Sequence, residues 1–193
     1  MLTDPVIDHP REFDRITSTV RTRAKTRRAV VEGVMVLVLA VGGGLLAWGG
    51  GFAGNMVHDQ LADQKISFPA KGSPALDPKI YPGLQRYAGQ AVDNGPKAKA
   101  YANEFIKVHL ASTAGGKTYS QVSEASRANP TDTTLSGQVQ TLFRGETLRG
   151  LLLYAWGWSV VGMIATLVAW AAFAGAAIVL AALAYGFLRP QHA

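Results

Sequence analysis

The histidines and carboxylates outside the apolar runs are the residues whose types could carry chemistry. His58 is followed by Asp59 and Asp63, so three metal-ligating side chains lie close together at helical spacing. A solvated helix segment beside a membrane explains the same spacing without a ligand, and we favour that explanation. His109 with Glu104 is a similar case, because a single histidine is usually a surface or half-buried residue. We predict no metal site.

The remaining carboxylates give no catalytic pair. Glu104, Glu124 and Glu146 are separated by loops and by large spacings, so a mechanism that uses two carboxyl groups cannot be argued from them. Glu146 lies between Arg144 and Arg149, at spacings that favour ion pairs on a helix surface. The pattern therefore indicates a structural role for this acid.

Glu32 is the one ionisable residue at the edge of an apolar run, and inside a membrane it would be a functional candidate. It follows Arg28 by four residues, however, which favours an ion pair near the membrane surface. No charged residue lies deeper in either run, so we do not expect a proton relay or a charge-coupled transporter.

The motifs of common enzymes and cofactor sites are missing from the sequence. The chain has no cysteine, which excludes disulfides, thiolate nucleophiles, cysteine-ligated zinc and iron–sulfur clusters. No histidine lies inside an apolar run, so a pair of intramembrane haem ligands is excluded as well. Neither a P-loop, GxSxG nor HExxH occurs. We predict a non-enzymatic protein with no catalytic residues and no cofactor.

Two long apolar runs dominate the sequence of 193 residues. Residues 33–57 contain no charged residue, and residues 150–188 contain no Asp, Glu, Lys, Arg or His. Because about 20 apolar residues cross a bilayer as a helix, both runs qualify as membrane spans. The second run has no proline or paired glycine to turn it, which favours one long helix. We predict an all-α integral membrane protein with two transmembrane helices.

A basic cluster precedes the first run and sets the predicted orientation. Six basic residues fall between Arg15 and Arg28, so the positive-inside rule places the N-terminus in the cytoplasm. A nucleic-acid-binding arm and a cleaved signal peptide are weaker explanations, and we expect no nucleic-acid partner. Attraction to anionic membrane lipid is expected to accompany the cluster. With two spans in the plasma membrane, both termini are cytoplasmic and the middle domain is extracytoplasmic.

The predicted organisation has five parts. They are a basic cytoplasmic arm (1–28), a first transmembrane helix (29–57), an extracytoplasmic helical domain (58–149), a long second transmembrane helix (150–188) and a cytoplasmic tail (189–193). In the middle domain, Pro82 and Asn94 mark helix starts, and Thr118 with Gln121 resembles a capping box. The last soluble helix has no strong breaker before the second span, so the two are expected to be continuous.

The glycine-rich stretch Val41 to Gly54 sorts large from small residues when it is placed on a helix. One side carries the bulky residues Val34, Val38, Val41, Leu45, Trp48 and Phe52. Another side carries small residues at spacings of 3 and 4, and the second span has a matching stripe. Small residues let membrane helices approach closely. The predicted helix-packing residues are Ala40, Gly43, Ala47, Gly50, Gly54, Gly162, Ala165, Ala169, Ala172 and Ala176.

Three stretches carry a resemblance to a family. They are FPAKGSPALDPKIYPGLQRYAGQAVDNGPKAKAYANEFI, KTYSQVS and GETLRGLLLYAWGW, at residues 68–106, 117–123 and 145–158. The chain resembles a family of small actinobacterial two-span membrane proteins, which are largely uncharacterised. Some members are automatically named as ring-opening dioxygenases, but the iron site of two histidines and a carboxylate that such a name implies has no counterpart in this sequence.

Two functions from different classes fit these features. The first is a structural or accessory membrane protein that packs through its small-residue helix faces into a homo-oligomer or with the subunits of a larger membrane complex. The alternative is a homo-oligomeric channel or small-solute pore, for which only Ser159 and Thr166 offer a polar stripe. An enzyme acting at the membrane surface is a third possibility for which the sequence offers no site.

Overall fold

The structure is a computed structural model that describes the backbone of residues 9–188 and the side chains of residues 19–20 and 22–188. Five α-helices are labelled here in chain order: α1 His9–Asp63, α2 Gly95–Ala100, α3 Lys107–Thr113, α4 Tyr119–Ala128 and α5 Thr133–Leu188. A π-helical segment, Tyr101–Ile106, joins α2 to α3, and 3-10 helices occupy Pro74–Leu76 and Pro82–Tyr87. Over the described residues there is no strand, only an isolated bridge between Ser67 and Ala91. The all-α prediction is confirmed.

Helix α1 is longer than the predicted first span, because it also includes most of the basic arm. No proline or glycine interrupts residues 11–32, so nothing in the sequence stops the helix there. Beyond Asp63, Lys65 takes a φ of 54°, the left-handed conformation that commonly follows a helix end. The first eight residues of the arm and the predicted tail, 189–193, lie outside the described residues.

Helix α5 begins at a side-chain cap and continues through the second apolar run. The Asp132 carboxylate accepts hydrogen bonds from the backbone N–H groups of Thr134 (2.9 Å) and Leu135 (3.1 Å). From Thr133 to Leu188 the helix is unbroken, so the last part of the middle segment and the second candidate span are one element.

The chain divides into two units, which are described separately. The first contains residues 1–47 and 167–193, and the second contains residues 48–166. The second unit holds the segment between the long helices, residues 64–132, which we name the cap. Its short helices begin where the sequence predicts. Asn94 accepts the N–H of Lys97 (3.0 Å), and Thr118 with Gln121 forms the predicted capping box.

The core of the second unit brings the cap together with segments of both long helices. Helix α1 contributes Val57 and Leu61, α5 contributes Leu142 and Leu152, and all four are at most 4% exposed. The buried residues of the cap are Phe68, Leu76, Leu84, Val92, Ala98, Ala100, Ala102, Ile106, Leu110, Ala114 and Val122. The cap therefore folds onto the adjoining helix segments and shares one hydrophobic core with them.

A cluster of aromatic rings packs around Phe68 of this core. Phe68 stacks on Tyr87 at a centroid distance of 5.2 Å and meets the edge of Tyr101 at 5.1 Å. Tyr101 also packs against Phe105 at 4.9 Å, and Phe105 against Tyr81 at 5.4 Å. Such pairs add to the stabilisation that comes from burial alone. Burial also raises the pKa of the Tyr101 phenol above its ordinary value.

Gly145 of α5 is expected to be essential for this core. A Cβ at Gly145 would lie 2.5 Å from Cδ2 of the buried Leu110, whereas a Cβ at Gly150 would meet nothing within 4 Å. Replacing Gly145 by leucine should therefore destabilise the protein by about 1–3 kcal/mol through overpacking. The matched change Gly150→Leu should be neutral or slightly stabilising. Chemical unfolding followed by tryptophan fluorescence measures both, and equal losses would contradict the packing.

Candidate functional site

His58 contacts the cap and does not face a metal-binding cluster. Its Nδ1 lies 2.9 Å from the backbone carbonyl oxygen of Asp93, while Asp59 and Asp63 are exposed. Over the part of the chain that the structure describes, no three His, Cys, Asp or Glu side chains converge on a position that could hold a metal ion. The contact links the end of α1 to the start of α2.

A small polar network surrounds this contact. The Asp93 carboxylate accepts hydrogen bonds from the Lys97 ammonium (3.0 Å) and from the Asn94 amide (2.9 Å). The hydrogen bond from Lys97 is the main reason that the pKa of Asp93 lies below its ordinary value. Asn94 is also the N-cap residue of α2. The network therefore fixes the first turn of that helix, which is a structural role.

The carboxylates considered in the sequence take part in ion pairs or lie at the surface. Glu146 pairs with Arg149 at 3.0 Å, and Arg149 also donates to the side-chain oxygen of Asn103 at 3.2 Å. Glu32 pairs with Arg28 at 2.6 Å, as the four-residue spacing predicts. The exposed Glu104 lies beside Gly83, where its Oε2 would be 2.6 Å from an added Cβ. The structure does not bring these acids into one site.

In the first unit, segments of α1 and α5 approach closely at Gly43. A Cβ at Gly43 would lie 2.9 Å from a ring carbon of Phe173 and 3.3 Å from Cβ of Ala172. Further along, a Cβ at Gly175 would lie 3.6 Å from the Leu39 side chain. A glycine at 43 leaves room for the Phe173 ring against the α1 backbone.

The second unit contains a closer approach, between two backbones. A Cβ at Gly50 would lie 2.7 Å from the carbonyl oxygen of Gly162 and 3.1 Å from the backbone nitrogen of Thr166. Conversely, a Cβ at Gly162 would lie 3.0 Å from the carbonyl oxygen of Gly50 and 3.1 Å from Cβ of Ala53. A Cβ at Gly50 would overlap backbone atoms that cannot rotate away, and a Cβ at Gly162 would fit only if its neighbours moved by a few tenths of an ångström.

The ten predicted helix-packing residues fall into three groups by burial. The buried ones are Gly43, Gly50, Gly162, Ala169 and Ala176, the half-buried ones are Ala47, Ala165 and Ala172, and the exposed ones are Ala40 and Gly54. The whole α5 stripe thus lies on a covered face. On α1, three residues of the predicted stripe are covered, and the neighbouring Ala53 is buried as well.

Five small residues that share one side of α1 by helical spacing are exposed, whereas Gly42 and Gly49 are half-buried. In the first unit these are Gly33, Ala40 and Gly44, and in the second unit they are Gly51 and Gly54. A Cβ added at any of these four glycines would meet nothing within 4 Å. We name these five residues the bare strip. Among the described residues, no contact requires a glycine at the four glycine positions of the strip.

A groove in the second unit has no counterpart in the sequence predictions. It has a volume of ≈ 500 Å³, and its apolar wall includes Gly49, Ala53, Met56, Tyr154, Trp158 and Val161. Its only strongly polar lining residue is Gln60. The sequence carries no signal for this groove, because its position depends on which sides of α1 and α5 meet.

Comparisons with models of protein families, with curated proteins and with solved structures find no match to this chain.

The contact at Gly50 generates a sharp prediction. Gly50→Ala forces a methyl group against the backbone of α5, so we expect a loss of about 1–3 kcal/mol in stability. Gly51→Ala adds the same methyl group at the next residue, where the structure leaves open space, and should be tolerated. Thermal unfolding in detergent, followed by circular dichroism, compares the two. Tolerance of both substitutions would show that the α1–α5 contact is not made as described.

Proposed function

We propose that this chain is a non-enzymatic accessory protein of the plasma membrane. In this proposal α1 and α5 each cross the bilayer, both termini are cytoplasmic and the cap lies outside the cytoplasm. The protein packs through small-residue helix faces into a homo-oligomer or with the subunits of a larger membrane complex. The resemblance to small actinobacterial membrane proteins fits this proposal and adds no chemistry to it.

Low burial of both apolar helices supports the membrane part. The structure has two helices long and apolar enough to cross a membrane, each with a mean hydropathy of 2.3 in its most apolar stretch. Within those stretches only 6% and 11% of the residues are buried. The core helix of a soluble protein would instead be mostly buried. The bulky face of α1 is consistent with lipid contact, because Val38, Leu45 and Trp48 are 64–70% exposed.

The bare strip is the observation that carries the assembly part. Glycine in a helix costs about 1 kcal/mol relative to alanine. Contacts among the described residues do not offset this cost at the exposed glycines of the bare strip. In a membrane, small residues are enriched where another helix approaches. Gly44 and Gly51 leave such a surface open in each unit. A second copy of this chain or a foreign subunit would use it.

The channel alternative finds less support. Thr166 donates its hydroxyl hydrogen to the carbonyl oxygen of Gly162 at 2.9 Å, and Ser159 donates to that of Trp156 at 2.8 Å. Both residues are half-buried, Thr166 against Gly50 and Ser159 against Gly95. Hydroxyls bonded within their own helix and covered by neighbours do not form a polar lining, so we rank the accessory role first.

Assembly is tested by native mass spectrometry of the full chain in nanodiscs. We expect a defined homo-oligomer or stoichiometric foreign subunits with the wild type, and mostly monomer with Gly44→Leu plus Gly51→Leu. Gly186→Leu is the matched control, because that glycine is also exposed with nothing within 4 Å of an added Cβ. A wild type that is monomeric and without subunits would overturn the assembly proposal. If Gly186→Leu also dissociated the assembly, the loss would not be specific to the bare strip, and the strip could not be assigned as the assembly surface.

Orientation is tested by labelling single cysteines in intact cells with a membrane-impermeant maleimide. The chain has no native cysteine, so Lys117→Cys in the cap and Lys25→Cys in the basic arm can be followed separately. Both lysines are exposed. We expect the cysteine at 117 to react directly and the one at 25 to react only after permeabilisation. The reverse pattern would invert the topology, and reaction of both in intact cells would exclude the two-span arrangement.

A further inference from the structure

The N-terminal part of α1 carries a stripe that changes from cationic to apolar along the helix. Arg23, Arg27, Val31, Val34 and Val38 follow one another at spacings of 4, 4, 3 and 4, which places them on one side of a helix. All five are exposed, with exposed fractions of 60%, 56% and 64% for the three valines. We name these residues the Arg–Val stripe. It lies entirely within the first unit.

The two arginines lack a counter-ion within the described part of the chain. Arg23 and Arg27 are one helical turn apart, where like charges repel, and no described carboxylate pairs with either. Glu32 is the described acid that follows them most closely along the sequence, and its carboxylate forms an ion pair with Arg28 at 2.6 Å. Two guanidinium groups in this arrangement suit a phosphate, since each presents several N–H donors in a fixed plane.

The surface around the arginines is concave and partly apolar. A depression of ≈ 570 Å³ is lined by Arg23, Ala24, Arg27, Arg28, Val31 and Glu32. By helical spacing, the apolar residues Ala24 and Val31 lie between Arg23 and Arg27 on one side and Arg28 on the other. An amphiphile fits this combination better than a small anion does, because a small anion has no use for the apolar residues.

The length of the stripe matches one leaflet of a bilayer. Arg27 and Val38 are eleven residues apart, a rise of about 16 Å along a helix, and half of the hydrocarbon core of a bilayer is about 15 Å. A phosphate held at Arg23 and Arg27 would therefore leave room for an acyl chain to run along the valines to the middle of the membrane.

We propose that the Arg–Val stripe is a binding site for an anionic phospholipid. The lipid phosphate lies between Arg23 and Arg27, and one acyl chain packs along Val31, Val34 and Val38. The site requires that α1 crosses the membrane, so it rests on the membrane part of the proposed function. It does not require assembly, because every contact comes from one helix of one chain.

The test uses the full chain, purified in mild detergent and titrated with phosphatidylglycerol or phosphatidylcholine under native mass spectrometry. We expect selective retention of phosphatidylglycerol by the wild type. The affinity for this lipid should fall about fivefold for each arginine replaced, first in Arg23→Gln and then in the double variant that also carries Arg27→Gln. Lys25→Gln is the matched control, since it removes one charge on the opposite side of the helix and should retain the lipid. Circular dichroism checks that the variants stay helical.

Each other outcome counts against the site. Equal weakening by Lys25→Gln would show a general charge effect around the helix, and equal retention of phosphatidylcholine would show no preference for an anion. Release of the lipid by millimolar inorganic phosphate would show that a free anion, and not a lipid, is the ligand. Membrane association is measured separately, by flotation of cell membranes in a density gradient. Failure of the protein to float with the membranes would overturn the membrane part of the proposed function. A protein that floats but binds no lipid selectively overturns this inference alone.

Discussion

The close approach of two backbones at Gly50 and Gly162 is the contact on which the second unit depends. A Cβ at Gly50 would lie 2.7 Å from the carbonyl oxygen of Gly162, which is too close for a side chain, and a Cβ at Gly162 would lie at a tight 3.0 Å from that of Gly50. This approach fixes the rotation of both helix segments about their axes. As a consequence, Val57 and Leu61 lie under the cap, one and two turns beyond the Ala53 contact. The hydrophobic core of the cap is therefore built on a surface that the glycines set.

The cap shows how a local irregularity keeps such a core continuous. Its buried residues Ala98, Ala102, Ile106 and Leu110 recur every four residues. An α-helix has 3.6 residues per turn, so positions four apart drift by about 40° at each step. The π-helical segment Tyr101–Ile106 has a wider turn and offsets this drift. Leu110 thus still points into the core, where Gly145 of α5 leaves room for it.

Sequence patterns predicted local signals well, because each depends on few neighbouring residues. Helix starts at Asn94 and at Thr118, and the Arg28–Glu32 ion pair, appear as expected. The extent of α1 and the π-helical segment were missed. Residues 11–28 of the arm contain no proline or glycine that would break a helix, but their basic composition indicated a part separate from the apolar span. The π segment follows from the demands of the core and has no residue signature of its own.

Only part of the predicted packing face is covered within the described chain, for a physical reason. Periodicity shows that small residues share one side of α1, but that side is wide, and its use depends on the shape of the partner. Within the chain, Gly43 and Gly50 meet α5, while Ala40 and Gly54 remain exposed. The groove beside Trp158 arises from the same choice of faces. A single sequence can therefore indicate that a face packs, but not which part of it packs within the chain.

The pKa shifts among the described polar groups have structural causes. Active sites concentrate groups whose pKa values are shifted by burial together with nearby charges. Among the described groups outside the candidate spans, the pKa of Asp93 is lowered by Lys97 beside a helix cap, and that of Tyr101 is raised by burial in an aromatic cluster. Both shifts are accounted for by interactions that hold the cap together, namely the hydrogen bond from Lys97 to Asp93 and the burial of Tyr101. Among the described residues, the exposed glycines of the bare strip and the arginines of the Arg–Val stripe have no partner that accounts for them, and we propose that both surfaces bind partners in a membrane.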